Sequence, residues 1–277
     1  MAELKDSFQG RLALITGGSS GLGLALANSL AAQGANVWLI ARRKDALESA
    51  CRALPTAAGQ HHGIVSADVS DWGQVQAAVA NVIREAGLPD LLINCAGAAH
   101  PGYVQEIPVE IFHEMMDVDY FGTINMVKAL LPGMLERGSG HIVNISSAAG
   151  FLAPFGYSAY APAKYAVRGF SDTLRLELKP LGLRVSVAFP PDMDTPGTVT
   201  ENKTKPFETT EAFSSSLVPA EPVAKSILND VRRGKYIILP GFETRIYYYL
   251  VFLLGNAIYP LLDGLLAQAR RKKNKNN

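Results

Sequence analysis

Tyr160 and Lys164 lie four residues apart where a helical pattern begins, so their side chains share one face of it. A free tyrosine has a pKa of ~10 and is a poor acid or base near neutrality. A neighbouring ammonium favours the phenolate and lowers that value. Moving it by ~3 units takes roughly 4 kcal/mol of differential interaction, within reach of a close charge in a dry site. Ser147 ends an apolar run thirteen residues before Tyr160 and can donate a hydrogen bond to a carbonyl oxygen. A Tyr-x3-Lys pair by itself is common on protein surfaces. Together the three suit proton transfer beside a polarised carbonyl oxygen.

These side chains need a scaffold, and the chain alternates in a way that supplies one. Apolar runs fall at Arg11–Thr16, Asn36–Ala41, Gly63–Val69, Asp90–Ala96, His141–Ser146, Arg184–Phe189 and Tyr236–Leu239. Helical patterns fill most gaps: Leu22–Gln33, Lys44–Leu54, Trp72–Ala86, Val109–Glu136, Ala159–Lys179 and Glu221–Arg233. Near-continuous apolar strands between helices predict an α/β fold, a Rossmann-type doubly wound parallel sheet of about seven strands. Ligands of such sheets sit at the carboxyl ends of the strands.

The first of those ends carries Thr16-Gly17-Gly18-Ser19-Ser20-Gly21-Leu22-Gly23. Strand, tight turn and helix start there present free backbone N–H groups and a dipole to a pyrophosphate. Gly17 and Gly21 can take turn conformations closed to other residues, and Gly23 lets helix and strand pack closely. The spacing Gly-x3-Gly-x-Gly differs from the common Gly-x-Gly-x-x-Gly fingerprint, so an ordinary glycine-rich turn is the competing reading. After the second run come Arg42 and Arg43, where an acid would bind a ribose 2′-hydroxyl and arginine suits a 2′-phosphate. NADPH/NADP+ is therefore expected over NAD(H). Asp68 with Val69 could meet the adenine or cap the next helix with Ser70 and Asp71. Asn94, Ala96 and Gly97 end the fourth run, their small neighbours letting backbone approach the cofactor.

Composition bounds the rest. The 277 residues are 48% hydrophobic, enough for one large domain with a full core. A net charge of +1 argues against nucleic acid as a partner, and no metal is expected. Cys51 and Cys95 are too few for a disulfide framework, so a reducing compartment is expected. The polar stretch Met1–Gly10 carries no signal peptide pattern.

With Thr16–Gly23, Asp68, Asn94–Gly97, Ser146-Ser147, Tyr160, Lys164 and Pro190, the chain resembles the short-chain dehydrogenase/reductase family over roughly residues 10–240. The resemblance implies Tyr160 as general acid/base, Lys164 binding the nicotinamide ribose and lowering the tyrosine pKa, and Ser147 polarising the carbonyl. Two departures stand out. Asp119 occupies the place where the family usually has an asparagine that bends the helix and holds a relay water through its backbone. Pro162 is tolerable only in the first turn of its helix. Within the family, Phe155–Tyr160, Val187–Gly197 and Glu201–Thr209 resemble the reductases that turn 3-dehydrosphinganine into sphinganine. A lid over residues 191–218 is implied, with Thr195 able to bind the nicotinamide carboxamide. The alternatives are a reductase of another lipophilic ketone or alcohol, such as a steroid or retinoid, and a non-catalytic nucleotide-binding scaffold.

Residues 241–277 differ from the 1–240 catalytic domain. Ile246–Leu266 holds eleven Ile, Leu, Val or Phe and is followed by the basic run Arg270–Lys275. Eleven such residues favour insertion by roughly 3–7 kcal/mol, against up to ~3 for Asp263 and more for Asn256 and Pro260. Before Pro260 the segment spans ~21 Å as helix, short of a ~30 Å hydrocarbon core. An interfacial or re-entrant membrane anchor with its basic cluster on anionic headgroups is expected, against a soluble helix covering the core or a dimer contact. The catalytic domain would then face the cytosol. Lysines third and fifth from the end resemble an endoplasmic-reticulum retrieval signal, relevant in a eukaryote. A homo-oligomer is compatible with either reading.

Overall fold

The computed structural model describes residues 8–213 and 216–276, the side chains of 275 and 276 excepted; residues 1–7 of the polar N-terminal stretch lie outside them. The strands are β1 (Leu12–Thr16), β2 (Asn36–Ala41), β3 (Gly63–Ser66), β4 (Leu91–Asn94), β5 (Gly140–Ile145), β6 (Leu183–Ala188) and, further on, β9 (Ile237–Ile238). They form one seven-stranded sheet in the order β3-β2-β1-β4-β5-β6-β9, every pairing parallel. Alternation along each strand divides the core. Ile15, Leu39 and Ile93 face α1 (Gly21–Ala31) and α9 (Ala220–Arg232) on one side. Leu14, Ile40 and Leu92 face α3 (Trp72–Ala86), α5 (Gly122–Arg137) and α6 (Tyr160–Leu178) on the other. Both faces are covered, which is why the strands read as continuous apolar runs.

Expected helix Val109–Glu136 is divided. α4 (Val109–Met115) leads into a π-helical stretch, Met116–Phe121, before α5 continues to Arg137. Such π-bulges occur frequently at functional sites. Lys44–Arg52 forms α2.

After β6 the segment expected to be a lid carries β7 (Met193–Asp194), α7 (Pro196–Glu201), α8 (Phe207–Phe213) and β8 (Val218–Pro219), residues 214 and 215 lying outside the described residues, with β7 and β8 paired in a small second sheet. Thr195 accepts from the Thr198 N–H and Pro196 follows it, a sound helix start. The tail forms α10 (Phe242–Leu254) and α11 (Ile258–Asn276), separated at Gly255 with φ +52°.

The tail does not hang free. Tyr248 and Val251 of α10 cover a buried cluster of Phe151, Val187, Phe189 and Leu239. Arg168 of α6 sits 5.8 Å from the ring centres of Phe189 and Tyr248 and 4.9 Å from that of Phe252. The end of α11 returns to the lid, where Lys272 pairs with Glu211 at 3.0 Å and Lys273 with Glu208 at 3.6 Å. Two lysines of the basic cluster are thus answered by acids of α8. The outer face of the tail is apolar and exposed, including Phe242, Tyr249 and Leu253.

Candidate active site

The carboxyl ends of β1, β2, β4, β5 and β6 open into one cavity. Gly17 and Gly21 have φ of +68° and +53°, the left-handed region that glycine enters without strain. A side chain at Gly17 would come 2.9 Å from the Ala96 backbone, and one at Gly23 would press on the Gly17 carbonyl. The Thr16 hydroxyl accepts from the N–H groups of Cys95 and Ala96, each at 3.0 Å, tying the loop to β4. Ser20 caps α1 without using its side chain, so the helix start stays open beside the glycine loop. Ser19, Ser20, Gly21, Leu22 and Gly23 all line the cavity. These features suit a dinucleotide pyrophosphate.

Arg42 and Arg43 line the same cavity where β2 gives way to α2. The start of α2 has no side-chain cap, and Arg42, Arg43 and Lys44 outnumber the one first-turn acid, Asp45, an arrangement that an anion would relieve. The Arg42 side chain is 67% exposed and reaches Asp68 at 4.0 Å. Asp68 borders the cavity, as Val69 does, and is tied to the turn before α3, whose cap is Asp71. The Asp68 carboxylate accepts from the Ser70 N–H and hydroxyl. Asn94 is placed differently from expectation. Its side chain is buried and donates to Asn144, which in turn donates to Ser171 of α6. The cavity wall is made instead by Cys95, Ala96 and Gly97, because the strand alternation turns Asn94 into the core. Burial pushes the Cys95 thiol up to about 12, against Lys164, so it is a quiet wall residue. Pro190 and Thr195 line the cavity too, Thr195 close to Gly21 of the loop.

Tyr160 opens α6, which leaves Pro162 in the first turn, where its missing N–H costs nothing. Lys164 follows on the same face, its Nζ 5.5 Å from the Tyr160 ring centre. Ser146 and Ser147 both border the cavity, and their hydroxyls differ. Ser146 donates to the Lys164 carbonyl at 2.9 Å, while Ser147 accepts from the Ala149 N–H and faces the Tyr160 phenol in the cavity. The phenol of Tyr160 is pushed up to about 12: burial outweighs the lowering by Lys164 and by the Ser147 hydroxyl, and Asp119 adds to the rise. The ammonium acts in the direction read from the sequence, but the net shift is upward, a burial effect that spacing alone does not show. The phenol is therefore held protonated near neutrality, as a general acid must be, with Lys164 beside it.

Asp119 is fully buried on the π-helical stretch. Its Oδ1 accepts from the Ala98 N–H at 3.0 Å and lies 3.5 Å from Lys164 Nζ; Thr123 donates to its carbonyl at 2.9 Å. Oδ2 takes no hydrogen bond among the described residues. Burial pushes the carboxyl up to about 6, with Lys164 and the Ala98 N–H opposing. Lys164 stays above the ordinary lysine range because Asp119 and Tyr160 outweigh its burial. A carboxyl raised by folding stabilises below its ordinary range, and that contribution is lost as pH rises to about 6. Asp119→Asn should therefore flatten stability against pH over this window. Denaturation midpoints at about pH 4 and pH 7 check this: an unchanged difference between variant and wild type would contradict it.

One pair in the cavity escaped sequence reasoning. Tyr157 donates its hydroxyl hydrogen bond to Glu201 of α7, and burial, then Glu201, push that phenol well above its usual range. The two are 44 residues apart, and only the recurrence of tyrosine three residues before Tyr160 hints at the first.

A family model described as short chain dehydrogenase matches residues 11–206. A 3-dehydrosphinganine reductase of Danio rerio is 39% identical over 228 residues, 80% of this chain and 69% of that protein. A 3-ketodihydrosphingosine reductase of Dictyostelium discoideum is 37% identical over 278 residues, 94% of this chain and 83% of that protein. The crystal structure of an actinorhodin polyketide ketoreductase variant with NADPH superposes with a TM-score of 0.74 at 27% identity, covering 82% of this chain and 94% of that one. Sheet order, glycine loop and extensive likeness agree: the chain belongs to the short-chain dehydrogenase family.

Proposed function

We propose that this protein reduces the 3-keto group of 3-dehydrosphinganine, giving sphinganine for sphingolipid synthesis. The observation that carries it is a likeness to 3-dehydrosphinganine reductases over 80–94% of the chain, with Ser147, Tyr160 and Lys164 meeting in one cavity. A nicotinamide cofactor, when bound, supplies the hydride. Ser147 donates a hydrogen bond to the ketone oxygen and Tyr160 protonates it. Lys164 steadies the resulting phenolate, and Asp119 holds Lys164 charged through the 3.5 Å contact. NADPH oxidation by the purified protein against a panel of ketolipids tests this. Turnover of a steroid ketone or of retinal with none of 3-dehydrosphinganine would overturn it.

NADPH over NADH is favoured by Arg42 and Arg43 at the uncapped start of α2. Arg42→Asp should weaken NADPH binding by roughly ten- to a hundredfold, as for a lost charge-assisted bond, and NADH binding much less. Equal losses would remove the argument.

Residues 1–240 form the catalytic domain in this reading and 241–277 the membrane-associating segment. The stretch Phe242–Asn274 is long and apolar enough to cross a bilayer by length and composition. The break at Gly255 supports an interfacial placement instead, since α10 alone is ~20 Å long against a ~30 Å core. The exposed face of α10 and the first turns of α11 would enter the headgroup boundary.

A further inference from the structure

We infer that Glu201 is the residue that selects a substrate bearing a primary ammonium on the carbon next to the ketone. The inference rests on the amino-ketone reading of the same cavity and adds the group that would recognise the amine.

An amine beside a carbonyl has a pKa near that of a peptide amino terminus, ~7.7–8.0, and is largely charged at neutrality. Its nitrogen lies on the carbon adjacent to the one being reduced, so it must rest close to the hydroxyls of Tyr160 and Ser147. A cation there needs an acceptor, because an unpaired charge in a part-dry cavity is costly. Glu201 lines the cavity beside Tyr160, and its side chain is only 16% exposed. Its charge is felt at the Tyr160 phenol. The Tyr157 and Tyr160 rings that link the two are 6.0 Å apart.

The way Glu201 is held matters. Tyr157 donates to Oε1, and Lys205 Nζ lies 3.3 Å from the same oxygen. Among the described residues, Oε2 takes no hydrogen bond. One oxygen is thus clamped by a tyrosine and a lysine, leaving the other as a preorganised acceptor. Tyr157 is itself fixed: the Gly156 carbonyl accepts from the Gly102 N–H, and the Thr209 hydroxyl donates to the Phe155 carbonyl. Asp192 lines the same cavity and adds negative charge felt at Tyr157.

The test is a ratio. kcat/KM is measured for a long-chain 2-amino-3-ketone and for the same 3-ketone lacking the amine, so that the folded fraction cancels. Glu201→Gln should lower the preference for the amino ketone by about ten- to a hundredfold, the usual weight of a charge-assisted bond. Lys205→Met, which unmasks the carboxylate, should raise it. A lid contact with no role in recognition would lower both rates together and leave the ratio unchanged in both variants, which overturns the inference. If wild type itself shows no preference for the amine, the amino-ketone reading fails and the inference with it. A wild-type preference that survives Glu201→Gln refutes only the assignment to Glu201.

Discussion

Tyr160→Phe should all but abolish ketone reduction, lowering kcat by about a hundred- to ten-thousandfold, the usual share of a positioned general acid. Nicotinamide affinity should stay nearly unchanged, because the substitution removes a proton donor and little binding surface. The ring remains packed near Tyr157 and Lys164, so the fold has no reason to change. Lys164→Ala separates the roles further. It removes the ammonium and leaves Asp119 buried without its counter-charge, a loss of the kind that costs ~3–5 kcal/mol. That variant should therefore lose stability, cofactor affinity and rate together. Stopped-flow turnover with cofactor titration distinguishes the two patterns; a Tyr160→Phe enzyme retaining a sizeable fraction of the rate would end the assignment.

The second large effect concerns where the tail is cut. Deleting from Phe242 onward removes Tyr248 and Val251 and uncovers Phe151, Phe189 and Leu239. Losing burial of one or two large apolar side chains costs ~1.5–3 kcal/mol each, and the new patch invites aggregation. Deleting from Gly255 onward spares that cover and removes α11, with its buried residues Ile258 and Ala269 and its contacts to α8 and Tyr103. The shorter deletion should stay folded, bind nicotinamide cofactor and float less well with anionic vesicles. Full-length protein should float at low salt and less at high salt, since a basic end and buried apolar surface act together. Absence of flotation at both salt concentrations, in folded and active protein, would rule out the membrane reading. Equal behaviour of the two deletions would rule out the capping role of α10.

The sheet was legible because strands buried on both faces are apolar throughout, and the helices because their stripes repeat. What escaped notice depends on distant partners. A periodic pattern from Val109 to Glu136 says nothing of a π-helical register at Asp119, which goes with contacts to Ala98 and Lys164 far away in sequence. The upward shift of Tyr160 follows from burial, whereas the sequence shows only the neighbouring charge. Asn94 sits among small residues at a strand end, but alternation turns it inward to Asn144. The Thr195-Pro196 start of α7 could have been read from its residues; the meeting of Glu201 with Tyr157 could not.

Arg168 ties the helix that carries Tyr160 to the apolar helix α10. It lies eight residues beyond Tyr160 on the same helix, ~12 Å along the axis, and its guanidinium grips Tyr248 and Phe252 of the apolar helix. If that helix rests in the headgroup boundary, the reacting oxygen is held at a set height above the acyl chains and the substrate has to rise to meet it. Each methylene drawn out of hydrocarbon costs ~0.8 kcal/mol. Lifting a single-chain lipid by a few methylenes is affordable at micromolar affinity, whereas a second acyl chain doubles the work. Selection against two-chain ketolipids would then arise from extraction, before any side chain in the cavity discriminates.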